Sequence, residues 1–449
     1  MRRDNGRASS SEGWMAGFRC APWRPPTRRV KVAPDRRMSD ASPPPPDPGP
    51  HPRGPSTKAF ATLWLTLFLD LVGFGIIIPV LPFYATSFGA SPQLVTLLAT
   101  AFSLAQFGAA PVLGRISDRV GRRPVMLISI AGSCASMLVL GLASALWMVF
   151  AARVLSGLCT ANISTAHAYV ADRIAPARRA KYMGLMGSAI GLGFVFGPAL
   201  GGLLSTPEHP ELPFLVSAGL AAINWGMAFV WLPESHRPER ASTAEPTRAH
   251  GSSRLGAIVH ALWGTPLGWL VLVNLCFFVA FSSMESTYAL LLEAEFGWGA
   301  QQTGGIFAFV GVVIVLTQGV LVGRLVGRLG ERRTLLLGMT LLVVALSILG
   351  SMKVPWLAFV GSALLACGNG LTTPSINALV SRSSGAGDQG FHMGLSSSAA
   401  ALGRIGGPAG AGVLFARVGP GVPMLVAAGV VMMAALVVLA RVRMPGGDA

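Results

Sequence analysis

The chain has few charged residues and very few cysteines for its length. Only 12% of its 449 residues are Asp, Glu, Lys or Arg, whereas 52% are hydrophobic, and the mean hydropathy is +0.58. Soluble domains carry about twice this charged fraction. The composition therefore argues against two or three soluble domains, and a soluble all-α protein with very apolar helices is the alternative at this point.

The five cysteines are too scattered for a disulfide framework or a metal centre. Four of them lie in four different apolar runs, and no CxxC or Cys/His cluster occurs. Isolated cysteines of this kind behave as small apolar residues. We therefore expect no metal site and no disulfide.

Long apolar runs, in contrast, are abundant. A bilayer core of about 30 Å requires roughly 20 apolar residues in one helix, and the chain offers twelve such runs, some of them with Gly and Pro, which membrane helices tolerate. The predicted fold is an all-α membrane protein with twelve transmembrane helices. The predicted spans are 60–82, 93–113, 124–143, 146–171, 182–204, 213–232, 267–292, 303–326, 333–352, 355–380, 391–416 and 421–441.

The net charge of +16 follows the predicted topology. Basic residues concentrate in alternate loops, beginning with four arginines between the second and third spans, and the other side receives Lys353 and Arg417. This is the positive-inside bias of membrane proteins, and it predicts that both termini are cytoplasmic. We therefore expect the lipid bilayer as a partner and no nucleic acid.

Two polar segments accompany the spans. The first contains the run PPPPDPGP at 43–50 and is rich in Arg, Pro and Ser, so we expect it to be disordered. Met38 is an alternative start for the chain. The predicted organisation is an N-terminal extension at 1–58, a six-helix half at 59–232, a cytoplasmic linker at 233–264, a second six-helix half at 265–442 and a short tail at 443–449.

The two halves resemble each other. GRISDRVGRR at 114–123 is similar to GRLVGRLGERR at 323–333, an offset of 209, and GFVFGPALGG at 193–202 is similar to GRIGGPAGAG at 403–412, an offset of 210. Two matches at nearly one offset indicate a duplication, hence two six-helix pseudo-repeats. Transporters are often built from such repeats, with the binding site between them near the middle of the membrane.

Four stretches carry a family resemblance. They are LDLVGFGIIIPVLP at 69–82, GRISDRVGRRPVM at 114–126, RVLSG at 153–157 and the glycine-rich stretch at 193–202. Together they resemble the major facilitator superfamily, and within it the twelve-helix drug:proton antiporters, especially the tetracycline-efflux branch. The resemblance extends over about 60–442 and implies a proton-coupled exporter of small amphipathic molecules, not an enzyme, located in the inner (plasma) membrane. We expect a monomer that uses the proton gradient and no cofactor.

The chain also departs from the tetracycline pumps. Those proteins carry an acidic residue in the third helix, where this chain has Ser136, and another in the ninth, where GMTLLVVALSILG has none. The resemblance therefore implies export but does not name the substrate. An uptake permease for a solute such as a sugar is the second reading, because PES at 233–235 is loosely similar to a sugar-porter motif. A non-transporting sensor is the third.

The loop between the second and third spans is expected to act as a conformational latch. The resemblance implies that Asp118 pairs with an arginine or caps a facing helix, that these contacts hold the halves together in the outward-facing state, and that they release when the cytoplasmic side opens. The alternative is that the arginines serve topology alone. The latch residues, called the loop cluster below, are Gly114, Asp118, Arg119, Gly121, Arg122 and Arg123.

The fifth span is expected to pack closely. Gly193, Gly197 and Gly201 recur every four residues and share a helix face, which allows backbones to touch. Pro198 is expected to kink the helix. With Gly202, these residues resemble the antiporter motif, and they are predicted to seal the two halves against each other; ordinary packing is the alternative.

Charged residues within the spans are the candidates for coupling and substrate binding, because charges are costly in the bilayer. Asp70 lies near the middle of the first span and is predicted to bind the proton or substrate, with Arg153 at a similar height as its partner; a fixed structural ion pair is the alternative. Glu285 is a candidate for binding a cationic substrate or a second proton, and an exposed rim carboxylate is the alternative. Arg404 is expected to pair with Glu285 or to attract an anionic group of the substrate. Gln106 and Asn162 are polar groups expected in the same cavity.

Overall fold

A computed structural model describes residues 57–160, 162–174, 176–235, 265–384 and 388–442, and these residues are almost entirely helical. The described residues form one compact unit. The helices are α1 (Thr57–Ser87), α2 (Pro92–Val120), α3 (Arg122–Gly141), α4 (Leu146–Leu158), α5 (Asn162–Arg173), α6 (Pro176–Leu204), α7 (Leu212–Trp231), α8 (Pro266–Phe296), α9 (Ala300–Leu316), a π-helical segment (Thr317–Leu321), α10 (Val322–Ser351), α11 (Pro355–Arg382), α12 (Gln389–Arg417) and α13 (Val422–Arg441).

These helices account for the twelve predicted spans. Eleven continuous helices of the described part are long and apolar enough to cross a membrane, and one of them, Ala300–Ser351, is 52 residues long. It is interrupted at Gly330, whose φ of 76° and ψ of 165° are not helical. Because an L side chain rarely adopts such a φ, glycine permits the turn that separates the eighth span from the ninth. The fourth span is divided between α4 and α5.

The predicted polar segments lie largely outside the described residues. Of the N-terminal extension at 1–58, only the last two residues are described, and they already belong to α1. The linker is described at 233–235 alone, and the tail at 443–449 is not described.

Each half has its own apolar core. In the C-terminal half, α8–α13 bury one continuous cluster that includes Phe277, Met339 and Met424. In the N-terminal half, one cluster surrounds Phe214 and Tyr84 and also takes in Leu290 of α8, and a second surrounds Tyr169. Lipid tails are as apolar as these side chains, so close packing and hydrogen bonds stabilise the helix contacts.

The glycine face of α6 packs against α1 of the same half. A Cβ on Gly197 would lie 2.7 Å from the Cα of Gly75, and one on Gly193 would lie 2.4 Å from the Cβ of Leu71. Gly201 contacts the backbone of Ile76 in the same way. The expectation that this face seals the two halves is therefore wrong, because the i, i+4 spacing faces a neighbour within the half.

The contact between the halves involves the next glycine. A Cβ on Gly202 would lie 2.9 Å from the Cα of Gly304 in α9, so these two backbones touch. On the other side of the bundle, Thr100 of α2 donates a hydrogen bond of 3.2 Å to the carbonyl of Ile405 in α12. Gly412 of α12 contacts Thr96 of α2.

These contacts lie towards the end of the bundle where α1 meets α2 and α6 meets α7, called the opposite end. At the other end, which carries the arginine-rich turn and is called the basic end, no hydrogen bond, ion pair or glycine contact joins the halves among the described residues. Gly121 contacts Glu234 of its own half, whereas a Cβ built on eight other glycines near that end would meet nothing within 4 Å. These are Gly108 and Gly114 in α2, Gly184 and Gly187 in α6, Gly323 and Gly327 in α10, and Gly390 and Gly394 in α12.

Candidate functional site

The loop cluster is organised around Arg122. Its Nη1 lies 2.6 Å from Asp118 Oδ1, and its Nε lies 3.1 Å from Asp172 Oδ2 at the end of α5. Gly121, with φ of 117°, forms the turn between α2 and α3. One guanidinium thus ties the ends of three helices of the same half together.

Glu234, which follows α7, caps the first turn of α3. Its Oε1 accepts a hydrogen bond of 2.9 Å from the backbone N–H of Arg122, and its Oε2 accepts one of 3.1 Å from the N–H of Arg123. A carboxylate at a helix N-terminus satisfies otherwise unpaired amides and the helix dipole. The Arg123 guanidinium lies over the ring of Phe229, 5.6 Å from its centroid. Arg173 donates to the Glu234 carbonyl.

Only part of the loop cluster is exposed in this conformation, because Gly121 is buried and the Arg122 side chain is 12% exposed. Asp118 is 63% exposed, Arg119 is exposed, and a Cβ on Gly114 would meet nothing within 4 Å. The ion pairs described at the basic end each join residues of one half; in the C-terminal half the pair is Glu331–Arg382. The contacts that the described residues show for the latch lie within one half, and the proposed closing role stays a prediction.

Asp70 lies in a small cavity inside the N-terminal half. The Nδ2 of Asn162 donates a hydrogen bond of 2.9 Å to Asp70 Oδ1. The break between α4 and α5 makes Asn162 the first residue of α5, with a buried side chain. The cavity has a volume of about 50 Å³, and its polar lining beside Asp70 consists of Ser133, Ser156, Thr160 and Ser217.

A larger central cavity lies between the halves. Its volume is about 450 Å³, and α1 and α6 on one side and α8–α12 on the other contribute to its wall. The wall is rich in aromatic rings, and its polar groups are few. The rings are Phe74, Phe194, Phe278, Phe281, Tyr288 and Phe307, and the polar side chains are Glu285, Gln318, Ser362, Asn369, Thr373 and Arg404.

Three charged residues meet at one side of this cavity. Glu285 and Arg404 line it, and together with Arg153 they also line an adjoining cavity of about 110 Å³. Arg153 is buried, with its guanidinium over Phe102 at 4.4 Å from the ring centroid, and Arg404 lies over Phe278 at 4.8 Å. Both arginines act electrostatically on Glu285, but no ion pair within 4 Å joins them among the described residues.

The predicted pairing of Asp70 with Arg153 is wrong. Asp70 bonds to Asn162 within its own half, whereas the charge opposite Arg153 is Glu285 of the other half. Distance along the helices gave both residues a similar depth but did not give the direction in which each side chain points. Gln106 is also misplaced by the prediction: it is half-buried where its backbone approaches Gly157, and it does not line the central cavity.

The aromatic wall was not anticipated from the sequence, although α8 contains a signal for it. Phe278, Phe281, Glu285 and Tyr288 recur at intervals of three and four residues and therefore lie on one face of the helix. A glutamate within a stripe of aromatic residues indicates a cavity lined by aromatic rings more specifically than the glutamate alone does.

The comparisons with known proteins agree with this architecture. A family model described as Major Facilitator Superfamily matches residues 63–321 and 286–448. Tetracycline resistance protein, class C, of Escherichia coli is 31% identical over 79% of this chain and 88% of that protein. Multidrug resistance protein 2 of Bacillus subtilis is 30% identical over 79% of this chain and 88% of that protein. The crystal structure of the human organic anion transporter MFSD10 matches with a TM-score of 0.65 and 25% identity, over 86% of this chain and all of that one.

Proposed function

The chain belongs to the major facilitator superfamily and is a multi-pass secondary transporter, and we propose that it exports small amphipathic molecules in exchange for protons. The observation that carries this proposal is the central cavity between the halves, which combines six aromatic rings with a small group of charged residues. Such a lining suits a molecule with a large apolar part and one polar group.

The orientation we propose places the basic end and both termini in the cytoplasm, in the inner (plasma) membrane. The arginines of the loop cluster favour this side under the positive-inside rule. The halves then meet at the outer end, where Gly202 contacts Gly304, and separate towards the cytoplasm. This is the conformation in which an exporter takes up its substrate from the cytoplasm or the inner leaflet.

Export then proceeds by rocking of the two halves about the cavity. The Gly202–Gly304 contact opens, and the loop cluster closes against the C-terminal half at the cytoplasmic end. The proton gradient drives the return step, without a cofactor, and we propose that the monomer is the working unit.

Asp70 is the residue we propose to carry the coupling proton. It lines a different cavity from the charged group around Glu285, and the two cavities adjoin at Phe74, Ile77 and Phe102. Its hydrogen-bond partner Asn162 is neutral, and no described cation lies within ion-pair distance of it. A carboxylate without a fixed counter-charge gains and loses a proton more readily than one locked in an ion pair.

The sugar-uptake reading has weaker support. The PES segment places Glu234 on the first turn of α3, which is a contact within one half. Most hydroxyl and amide groups of the cavity wall already bond to each other, Tyr288 to Ser362 and Thr373 to Asn369, which leaves few to bind a sugar. The efflux test below includes tetracycline. At the position of the acidic residue of the tetracycline pumps, the buried Ser136 hydroxyl donates a hydrogen bond to the carbonyl of Ser133.

The test is efflux of lipophilic dyes and antibiotics, tetracycline included, from cells that express the wild type, Asp70→Asn or the control Asp388→Asn. Asp388 is exposed before α12. We expect efflux that a protonophore abolishes in the wild type and the control, and no proton-driven efflux in Asp70→Asn. Efflux that persists with the protonophore would refute proton coupling, and proton-driven efflux in Asp70→Asn would refute the role of Asp70.

A further inference from the structure

Arg153 is a buried cation whose N–H groups are largely unpaired. The residue is 4% exposed, and neither its Nε nor its Nη1 has a hydrogen-bond partner. The face of Phe102 beneath the guanidinium attracts a cation, but it does not replace the oxygen acceptors that a guanidinium normally uses. Buried charges in proteins are normally paired, so an unpaired guanidinium at a cavity wall indicates a partner from outside the chain.

The charged group as a whole is positive. Among the described residues, Arg153, Arg404 and Glu285 are the only Asp, Glu, Lys, Arg or His residues that line the central and adjoining cavities. Their charges sum to +1 when Glu285 is ionised and to +2 when it is protonated. In either state the site carries a net positive charge, and a charge inside a membrane is costly unless it is compensated.

The cavity that Arg153, Glu285 and Arg404 line has space for an anionic group of a ligand. Glu285 interacts electrostatically with both arginines but lies beyond ion-pair distance from each. Arg153 comes from α4 of the N-terminal half and Arg404 from α12 of the C-terminal half. A guanidinium presents a planar fork that matches a carboxylate or a similar anionic group.

We propose that the transported molecule is an amphipathic organic anion. Its charged group, a carboxylate or a sulfonate, binds between Arg153 and Arg404, and its apolar body occupies the aromatic central cavity. This inference rests on the proposed export function and specifies its substrate class. Because the two arginines belong to different halves, the bound anion bridges the halves.

The anion site and the coupling site are then distinct. Asp70 lies in the cavity inside the N-terminal half, whereas the anion binds at the interface. Proton and substrate therefore bind to different groups, and they affect each other through the movement of the halves.

The test compares three ligands with one aromatic group and different charge: dansylglycine, an anion; its neutral amide; and dansylcadaverine, a cation. Binding to the purified full-length protein is measured by fluorescence and by calorimetry. We expect the anion to bind about tenfold more tightly than the neutral amide. The cation should bind most weakly.

Variants separate charge recognition from folding. Arg153→Gln and Arg404→Gln should each weaken anion binding about tenfold and leave binding of the neutral amide unchanged. Glu285→Gln removes the competing negative charge and should strengthen anion binding, a gain that a misfolded protein does not give. Arg324→Gln is the control, because Arg324 is exposed and bonds only to its own helix at Val320.

Preference for the cation, equal affinity for all three ligands, or weaker anion binding in Glu285→Gln would overturn the proposal. So would arginine variants that weaken all three ligands equally. The same protein in proteoliposomes tests the export function separately: an anion preference without accumulation driven by a proton gradient would refute proton-coupled export and leave the anion site standing. Proton-driven accumulation of the cation without that of the anion would refute the anion site and leave proton-coupled export standing.

Discussion

Adding one methyl group at Gly304 tests whether the backbone contact between α6 and α9 holds the opposite end closed. A Cβ at this position would lie 2.6 Å from the Cα of Gly202 and 2.7 Å from the carbonyl oxygen of Pro198. Both are backbone atoms, so no side-chain rotation relieves the clash. Ordinary carbon contacts need about 3.5–4.0 Å, and the two helices must therefore move apart by roughly 1 Å.

The size of the effect follows from the cost of overpacking. An extra methyl group in a tightly packed site costs about 1–3 kcal/mol, which corresponds to a shift of roughly 5- to 150-fold between two conformations. In the conformation with the opposite end open, the methyl group meets no such contact. Gly304→Ala should therefore favour that conformation. The matched control is Gly305→Ala, since a Cβ on Gly305 meets nothing within 4 Å.

The assay is pulsed electron paramagnetic resonance between spin labels on Glu208 and Gln301, two exposed positions at the opposite end, in a protein whose native cysteines have been replaced. Gly304→Ala should lengthen the measured distance, and Gly305→Ala should leave it unchanged. An unchanged distance in Gly304→Ala, or the same lengthening in both variants, would refute the argument.

Two further changes test contacts within the halves. Glu234→Ala removes a carboxylate that accepts backbone hydrogen bonds from Arg122 and Arg123 of α3 and one from Ser235. Because hydrogen bonds to a charged group contribute about 1.5–3 kcal/mol each, thermal unfolding should shift to lower temperature. Exposed Glu208→Ala should leave the unfolding temperature unchanged, and equal stability of both variants would contradict the capping role. Asn274→Ala removes two hydrogen bonds of 2.9 Å to Ser396 that join α8 to α12. Such bonds contribute about 0.6–1.7 kcal/mol in membrane proteins, so the variant should denature at a lower concentration of denaturing detergent than the wild type. An unchanged denaturation curve would show that the contact does not stabilise the protein.

The positions of the spans were predictable because hydropathy and loop charge are local properties. The predicted span 213–232 differs from α7 (Leu212–Trp231) by one residue at each end. The offset of 209 between 114–123 and 323–333 relates Gly121 to Gly330, and both glycines have positive φ in turns between spans. These features depend on residues within a few positions of one another.

The arrangement of the site was less predictable because it depends on how each helix is rotated. The sequence placed Asp70, Arg153 and Glu285 within the membrane-spanning helices but did not show which of these side chains share a cavity. The cap formed by Glu234 depends on where the end of α7 meets the start of α3, and nothing local to either segment specifies that meeting. Site geometry therefore required the packed structure.

The two ends of the bundle differ in the kind of contact they offer, and salt distinguishes them. At the opposite end, the described contacts between the halves involve glycine backbones and threonine hydroxyls, which carry no charge to be screened. At the basic end, the surfaces that approach each other carry exposed arginines and Asp118. Screening acts on exposed charges over about 8–10 Å at physiological ionic strength. A change in ionic strength therefore acts on closure of the basic end and leaves closure of the opposite end nearly untouched, so salt biases the transport cycle in one direction.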